Sequence, residues 1–339
     1  MDEPAELAPQ PREPVDPAGP PPPSPAAAAP SVLERLRSSP VTYALTAINV
    51  AVFLYAEYRG GGTSSPGTLL RFGALEPFHV WAGEYWRLVT CMFLHIGVVH
   101  IAVNTYMSLG WSTMLERALG KWRFLALYLL SGVGGSCMSV IVAFLSQPHR
   151  SAGASGALFG VIGATLAIRR RHFPDNASFL ADRGVRSILV QFAILTVVGL
   201  TVLPLDNAAH VGGLLTGAFI GTLYTSRAPR NGWLVFAAAF AALFIFAVRP
   251  WWSPTGKYKD LVAVYANSYL TGKSPTSEGD WPTDVARGVR FAEKGCARGV
   301  ALSCEVLARH LDRTGEPARA EELHRRACEL ESQLCTPQH

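Results

Sequence analysis

The stretch SAGASGALFG, residues 151–160, sets Ser155 two residues after Gly153 and directly before Gly156, with no acid or base alongside. Its surroundings read as a membrane protein. The chain is 49% hydrophobic and only 16% charged, whereas soluble domains carry about a quarter charged residues. Long apolar runs fill residues 41–250, and both ends are polar. Glycine-flanked serines are common packing devices, and a few are nucleophiles. Which of the two Ser155 is depends on what the fold brings beside it.

A helix that crosses a bilayer needs roughly 20 apolar residues. Seven segments suggest spans, at 41–58, 90–114, 122–145, 155–170, 187–204, 208–226 and 232–250. The fourth, headed by Ser155, is short and glycine-rich. Arg35 and Arg37 precede the first span, and Arg117, Lys121 and Arg123 separate the second from the third. Arg169, Arg170, Arg171, Arg183 and Arg186 separate the fourth from the fifth, and Arg227 and Arg230 the sixth from the seventh. The alternate loops are poorer in basic residues. The positive-inside rule therefore expects a cytoplasmic N-terminus and, with an odd number of spans, an extracytoplasmic C-terminal tail. Trp251 and Trp252 follow the seventh span, where interfacial aromatics belong. The net charge of +5 is mild and sits in these short loops, which points away from nucleic acid.

Residues 1–39 are expected to be a disordered, Pro- and Ala-rich cytoplasmic tail, because residues 1–30 offer nothing to bury. It lacks the early basic region and apolar core of a cleavable signal, so the first span is expected to stay uncleaved.

Polar groups inside the spans are expensive and invite a functional reading. Span two contains HIGVVHIAVN, with His95, His100 and Asn104, and the last two share one helix face. Span six opens on NAAHVGG, with Asn207 and His210. Each such residue could simply bridge helices. A metal site lacks an HExxH pattern and a carboxylate within the spans. A nucleophilic site needs a hydroxyl, a base and donors for an oxyanion. Ser155 supplies the hydroxyl, and the N-terminus of its helix would present free N–H groups. His210 is the candidate base, His100 and Asn104 the candidate oxyanion donors. With no acid beside His210 within the membrane, the arrangement would be a Ser-His dyad. Gly213, Gly217 and Gly221 recur every four residues after His210, and Gly156 and Gly160 follow Ser155 at the same interval. Small residues at that spacing let two helix backbones approach closely.

The set of motifs resembles the rhomboid intramembrane serine proteases, over about residues 40–226. RFGAL and EYWRLVT (Glu84, Trp86, Arg87) resemble the family's first-loop pattern, and HIGVVHIAVN its HxxxxHxxxN. GASGALFG resembles GxSGxxxG, and AHVGGLLTG resembles AHxxGxxxG. The resemblance implies Ser155 as nucleophile, His210 as general base, and an oxyanion site of His100, Asn104 and the Ser155 N–H. It implies structural roles for His95, Trp86 and Arg87. It implies single-span membrane proteins as substrates, cut within or beside the transmembrane segment, and no cofactor. Phe159 stands where the family often has Tyr, which keeps a ring for His210 and loses a hydroxyl. The fold expected is an all-α membrane protein: a rhomboid-like six-helix bundle at 40–226, with an extra transmembrane helix at 227–252. A catalytically inactive relative that binds transmembrane clients is the alternative, though both Ser155 and His210 are present. A transporter would show broken, repeated halves and midplane charges.

Residues 253–339 are polar and helix-like, and are expected to form a small extracytoplasmic helical-repeat tail. Cys296 and Cys328 are followed eight and seven residues on by Cys304 and Cys335. This resembles Sel1-like relatives of tetratricopeptide repeats, in which two cysteines link neighbouring helices. Free buried thiols are the alternative. Disulfides would require an oxidising compartment, which agrees with the span count. Such a tail suggests a protein partner. Cys91 and Cys137 lie in spans as packing residues. Asn176 lies in an Asn-Ala-Ser sequon in a loop expected to be cytoplasmic.

Overall fold

The computed structural model describes residues 31–143, 150–201, 205–225, 231–249, 257–273 and 283–335. The expected disordered segment 1–30, Arg227, Arg230, Trp251 and Trp252 lie outside the described residues. Helix dominates those that are described.

Two helices open the chain. α1 (Val32–Ser38) starts on a reciprocal cap between Ser31 and Glu34. α2 (Pro40–Tyr58) starts on proline, which has no N–H to leave unpaired. Its next two backbone N–H groups donate to the buried carboxylate of Glu116, at 2.9 Å from Val41 and 2.8 Å from Thr42. A buried anion at a helix N-terminus satisfies orphan donors and meets the positive end of the dipole.

The long loop after α2 folds into three short helices, α3 (Pro66–Phe72), α4 (Pro77–Trp81) and α5 (Arg87–Thr90). α3 and α4 start on proline after the capping side chains Ser65 and Glu76. Arg87 is wholly buried and holds the loop together. It pairs with Glu84 at 2.6 Å and donates to the carbonyls of Leu70 and Ala74 at 2.9 and 2.8 Å. Its guanidinium also lies 4.6 Å from the Trp86 ring centre. These contacts agree with the structural roles implied for Arg87 and Trp86.

Span two differs from its expected extent of 90–114. The chain turns at Leu94–Ile96, and α6 (Gly97–Met107) starts at Gly97, which has φ 71°. The helical stretches before and after this break lie at 91°. A π turn at Ser108–Ser112 leads into α7 (Thr113–Leu119). Hydropathy averaged over a span-length window stays apolar across 94–97 despite His95, and so does not register the corner.

α8 (Lys121–Ala143), α9 (Ser155–Arg170), α10 (Asn176–Ala181), α11 (Arg183–Thr201), α12 (Asn207–Leu223) and α13 (Gly232–Val248) follow. By length and composition, α2 and α8 can each cross a membrane, with 19 and 23 residues. The bent stretch through α5 to α7 can make a third span. α9, α12 and α13 have 16, 17 and 17 residues, which makes each about 24–26 Å long.

α12 packs between α8 and α9. Ideal Cβ atoms on Gly213 and Gly217 would overlap the carbonyls of Gly156 and Gly160, and one on Gly221 would press on Ala164. The spacing read from the sequence is therefore a backbone-on-backbone seam between α9 and α12. α8 closes the other side, where a Cβ on Gly135 would lie 2.6 Å from the Ala209 carbonyl.

The tail folds as α14 (Lys257–Thr271), α15 (Val285–Ala297), α16 (Ala301–Thr314) and α17 (Pro317–Leu330), each packed on the next. Disulfides join Cys296 to Cys304, linking α15 to α16, and Cys328 to Cys335, tying the end of α17 to the turn beyond it. Cys91 and Cys137 are free and buried.

Candidate active site

α9 begins at Ser155, with Ala154 before it as the cap. Three contacts position the approach to this helix. Leu75 and Ser151 exchange two backbone hydrogen bonds, at 2.8 and 2.9 Å. The Gly153 N–H donates to the Cys91 carbonyl at 2.9 Å, and the Ala154 N–H to His95 Nε2 at 3.4 Å. His95 thus supports the loop ahead of Ser155, in line with its implied structural role. Gly153 has φ 134°, and a Cβ there would lie 2.8 Å from the His100 ring. Glycine is needed here both for the backbone angle and for the approach of that imidazole.

α12 begins with Asp206 as its cap, which accepts from the Ala209 N–H at 2.9 Å. One turn on, His210 is buried, and its Nε2 lies 2.9 Å from Ser155 Oγ. The two residues are 55 apart in the chain and meet because each lies in the first turn of a helix in the glycine seam. The Phe159 ring stacks on the imidazole, with centroids 4.1 Å apart and planes 5° off parallel. It also meets Phe192 of α11 edge-on at 5.3 Å. His210 Nδ1 is buried and has no hydrogen-bond partner among the described residues. The ring is therefore oriented by stacking rather than by a carboxylate on Nδ1. An acid does lie four residues away in the chain, at Asp206. Its capping bond to Ala209 places it at the head of the same helix.

α6 brings His100 and Asn104 to the same place. His100 Nδ1 accepts from the Ile96 N–H at 3.3 Å. A neutral imidazole that accepts at Nδ1 carries its proton on Nε2, so the nitrogen facing Gly153 is a donor. Asn104 Nδ2 donates to the His100 carbonyl at 2.9 Å. Ser155, His210, His100 and Asn104 all line one cavity of about 210 Å³. Its remaining wall is largely apolar, including Val99, Val103 and Leu195, with Asp206 and residues 150–152 of the loop also lining it. Of the polar loop 145–154 expected to admit water, 145–149 lie outside the described residues. A hydroxyl, an adjacent imidazole and converging donors over an apolar trough can carry out acyl transfer on an extended peptide.

Comparison with known proteins places this geometry in context. Residues 82–227 match the model of the Rhomboid domain. The matched stretch is under half of the chain. It is similar to the Rhomboid protease GluP of Bacillus subtilis (strain 168), 40% identical over 178 residues. That match covers 52% of this chain and 33% of the relative. It is also similar to two Arabidopsis thaliana proteins. RHOMBOID-like protein 6, mitochondrial, is 40% identical over 174 residues, and RHOMBOID-like protein 5 is 39% identical over 177. Each of these matches covers 51% of this chain and 54% of the relative. The chain thus spans about a third to a half of the length of these relatives. The matched stretch holds His95, His100, Asn104, Ser155 and His210 alike, and stops before α13 and the tail. The rhomboid match and the apolar helices long enough to cross a bilayer support an integral membrane protein.

Proposed function

We propose that the chain is an intramembrane serine endopeptidase that cleaves single-span membrane proteins within or beside their transmembrane segment. The observation that carries this reading is the 2.9 Å approach of Ser155 Oγ to His210 Nε2, inside the rhomboid domain and on an apolar cavity. Ser155 Oγ attacks the scissile carbonyl while His210 Nε2 takes its proton. The oxyanion that forms accepts from the Ser155 N–H, His100 Nε2–H and the Asn104 amide. His210 then gives its proton to the leaving amine, and water repeats the sequence to release the acyl group. The positive charge on His210 during each step is stabilised by the face of Phe159, which stands where a dyad has no acid. No cofactor enters these steps.

The domain plan goes with this reading. Residues 40–226 form the six-span catalytic core, 227–252 a seventh span, and 253–339 an extracytoplasmic Sel1-like tail that can engage a protein partner. The N-terminus is cytoplasmic. Two contacts support this placement of the tail. Ser151, which lines the cavity, pairs with Leu75, and the tail packs on α4 directly after Leu75. The tail and the head of α9 are therefore at one end of the bundle.

A fluorophosphonate tests the nucleophile. It is expected to form one covalent adduct on the purified protein, located at Ser155 by peptide mass, and to label from the extracytoplasmic face. An adduct on another serine, or labelling only from the cytoplasmic face, contradicts the assignment or its topology.

A further inference from the structure

α4 is a five-residue helix whose every residue is buried, although it lies in a loop. The cover comes from the tail. Glu76, 1% exposed, caps α4 by accepting from the Phe78 N–H at 3.2 Å. Its other contacts are His79 Nδ1 at 3.0 Å and the Tyr265 hydroxyl at 2.8 Å. His79, wholly buried, meets the Tyr269 hydroxyl through Nε2 at 2.6 Å. Burial pushes His79 below the ordinary histidine range, against the pull of the Glu76 carboxylate. A neutral ring fixes the direction of the chain: Tyr269 O–H donates to Nε2, and Nδ1–H donates to Glu76. Two tail hydroxyls thus complete a buried relay that starts next to Leu75.

The seam around this relay is also built from the tail. Lys294 donates to the Ala82 carbonyl and Arg298 to the Trp81 carbonyl, the latter at 3.2 Å. Arg287 pairs at 3.2 Å with Glu84, the same carboxylate that holds Arg87. From the core side, Trp81 Nε1 donates to the Ala247 carbonyl at 3.1 Å. α4 is therefore gripped between the end of α13 and the tail.

Leu75 gives this grip a target. Its two bonds to Ser151 are among three sets that fix residues 151–154, the others running to Cys91 and His95. Those residues set where Ser155 stands. We propose that the tail is a positioning element for the nucleophile: Tyr265 and Tyr269 hold Glu76 and His79, and through Leu75 and Ser151 hold the loop that presents Ser155 to His210. This inference rests on the protease reading above. Loss of the two hydroxyls leaves buried polar atoms of Glu76 and His79 without partners, which a short loop relieves by moving. A nucleophile displaced by about 1 Å costs up to about 100-fold in rate.

The test uses the full chain in detergent, with Tyr265→Phe and Tyr269→Phe combined so that ring packing is kept. Turnover of a single-span substrate, KM, the rate of fluorophosphonate labelling and the unfolding temperature are measured for wild type and variant. Turnover and labelling, each per folded molecule, are expected to fall together by about tenfold, with KM within about twofold. A purely structural role would lower the unfolding temperature and leave both rates per folded molecule unchanged, and that result overturns the proposal. Should the double variant fail to fold, Lys294→Ala with Arg298→Ala loosens the outer seam only. It is expected to slow turnover and labelling about threefold, and wild-type rates there overturn the proposal as well. A wild-type protein that neither cuts nor labels would instead remove the protease reading itself.

Discussion

Replacing His210 by alanine is expected to lower turnover of a single-span substrate by on the order of 10^4-fold, with KM within about threefold. The loss corresponds to about 5.4 kcal/mol of transition-state stabilisation. Its size follows from the geometry. Nε2 lies 2.9 Å from Ser155 Oγ, and the structure offers no carboxylate on Nδ1 to share the task. In the proposed mechanism, proton removal from Ser155 and proton delivery to the leaving amine both pass through this one ring. Substrate binding is expected to draw mainly on the apolar wall of Val99, Val103 and Leu195, which the substitution leaves in place. Turnover and KM measured on both proteins in the same detergent check the split. A variant that keeps a tenth of wild-type turnover would show that His210 is not the base.

Gly217→Leu is the second large effect, and it acts through the fold. A Cβ at Gly217 would overlap the Gly160 carbonyl, and its other near neighbours are the Gly160 carbonyl carbon and Cα. No rotamer change can relieve a clash against backbone, so α12 must move away from α9. The expected cost is about 3 kcal/mol or more, read as a lowered unfolding temperature in detergent. Activity is expected to fall by about 100-fold even in the molecules that remain folded, because Ser155 and His210 stand on the two helices being parted. Gly110 is the internal control. Nothing lies within 4 Å of a Cβ built there, and Gly110→Ala is expected to leave stability and turnover unchanged. If Gly217→Leu behaves like Gly110→Ala, the seam does not hold the site together.

The parts of the site that could be read from the sequence are those set by short-range rules. Ser155 after Gly153 and before an apolar run marks the head of a helix, and α9 begins there. A glycine every four residues marks a close helix contact, and the α9–α12 seam follows that register. His100 and Asn104, four apart on one helix, fall on one face by period alone and reach the same cavity. Where tertiary contacts decide, the sequence is silent. The 91° corner before α6 lies in a stretch that is apolar enough overall to read as one span. The grip on α4 depends on hydroxyls that reach it from 189 and 190 residues away. Asp206 stands just ahead of the sixth apolar run and belongs to none of the motifs, yet it heads the helix that carries His210. The cysteine spacings of eight and seven resolve into one link between neighbouring helices and one within the last turn, a distinction that needs the positions of α15 to α17.

The central claim is that Ser155, paired with His210, cuts transmembrane peptides. Its most direct test is to incubate the purified full chain with a model single-span protein and to follow the fragments, with Ser155→Ala in parallel. Wild type is expected to cut the substrate within or beside its membrane segment, and Ser155→Ala to give no fragment above background. Undiminished cutting by Ser155→Ala would contradict the account.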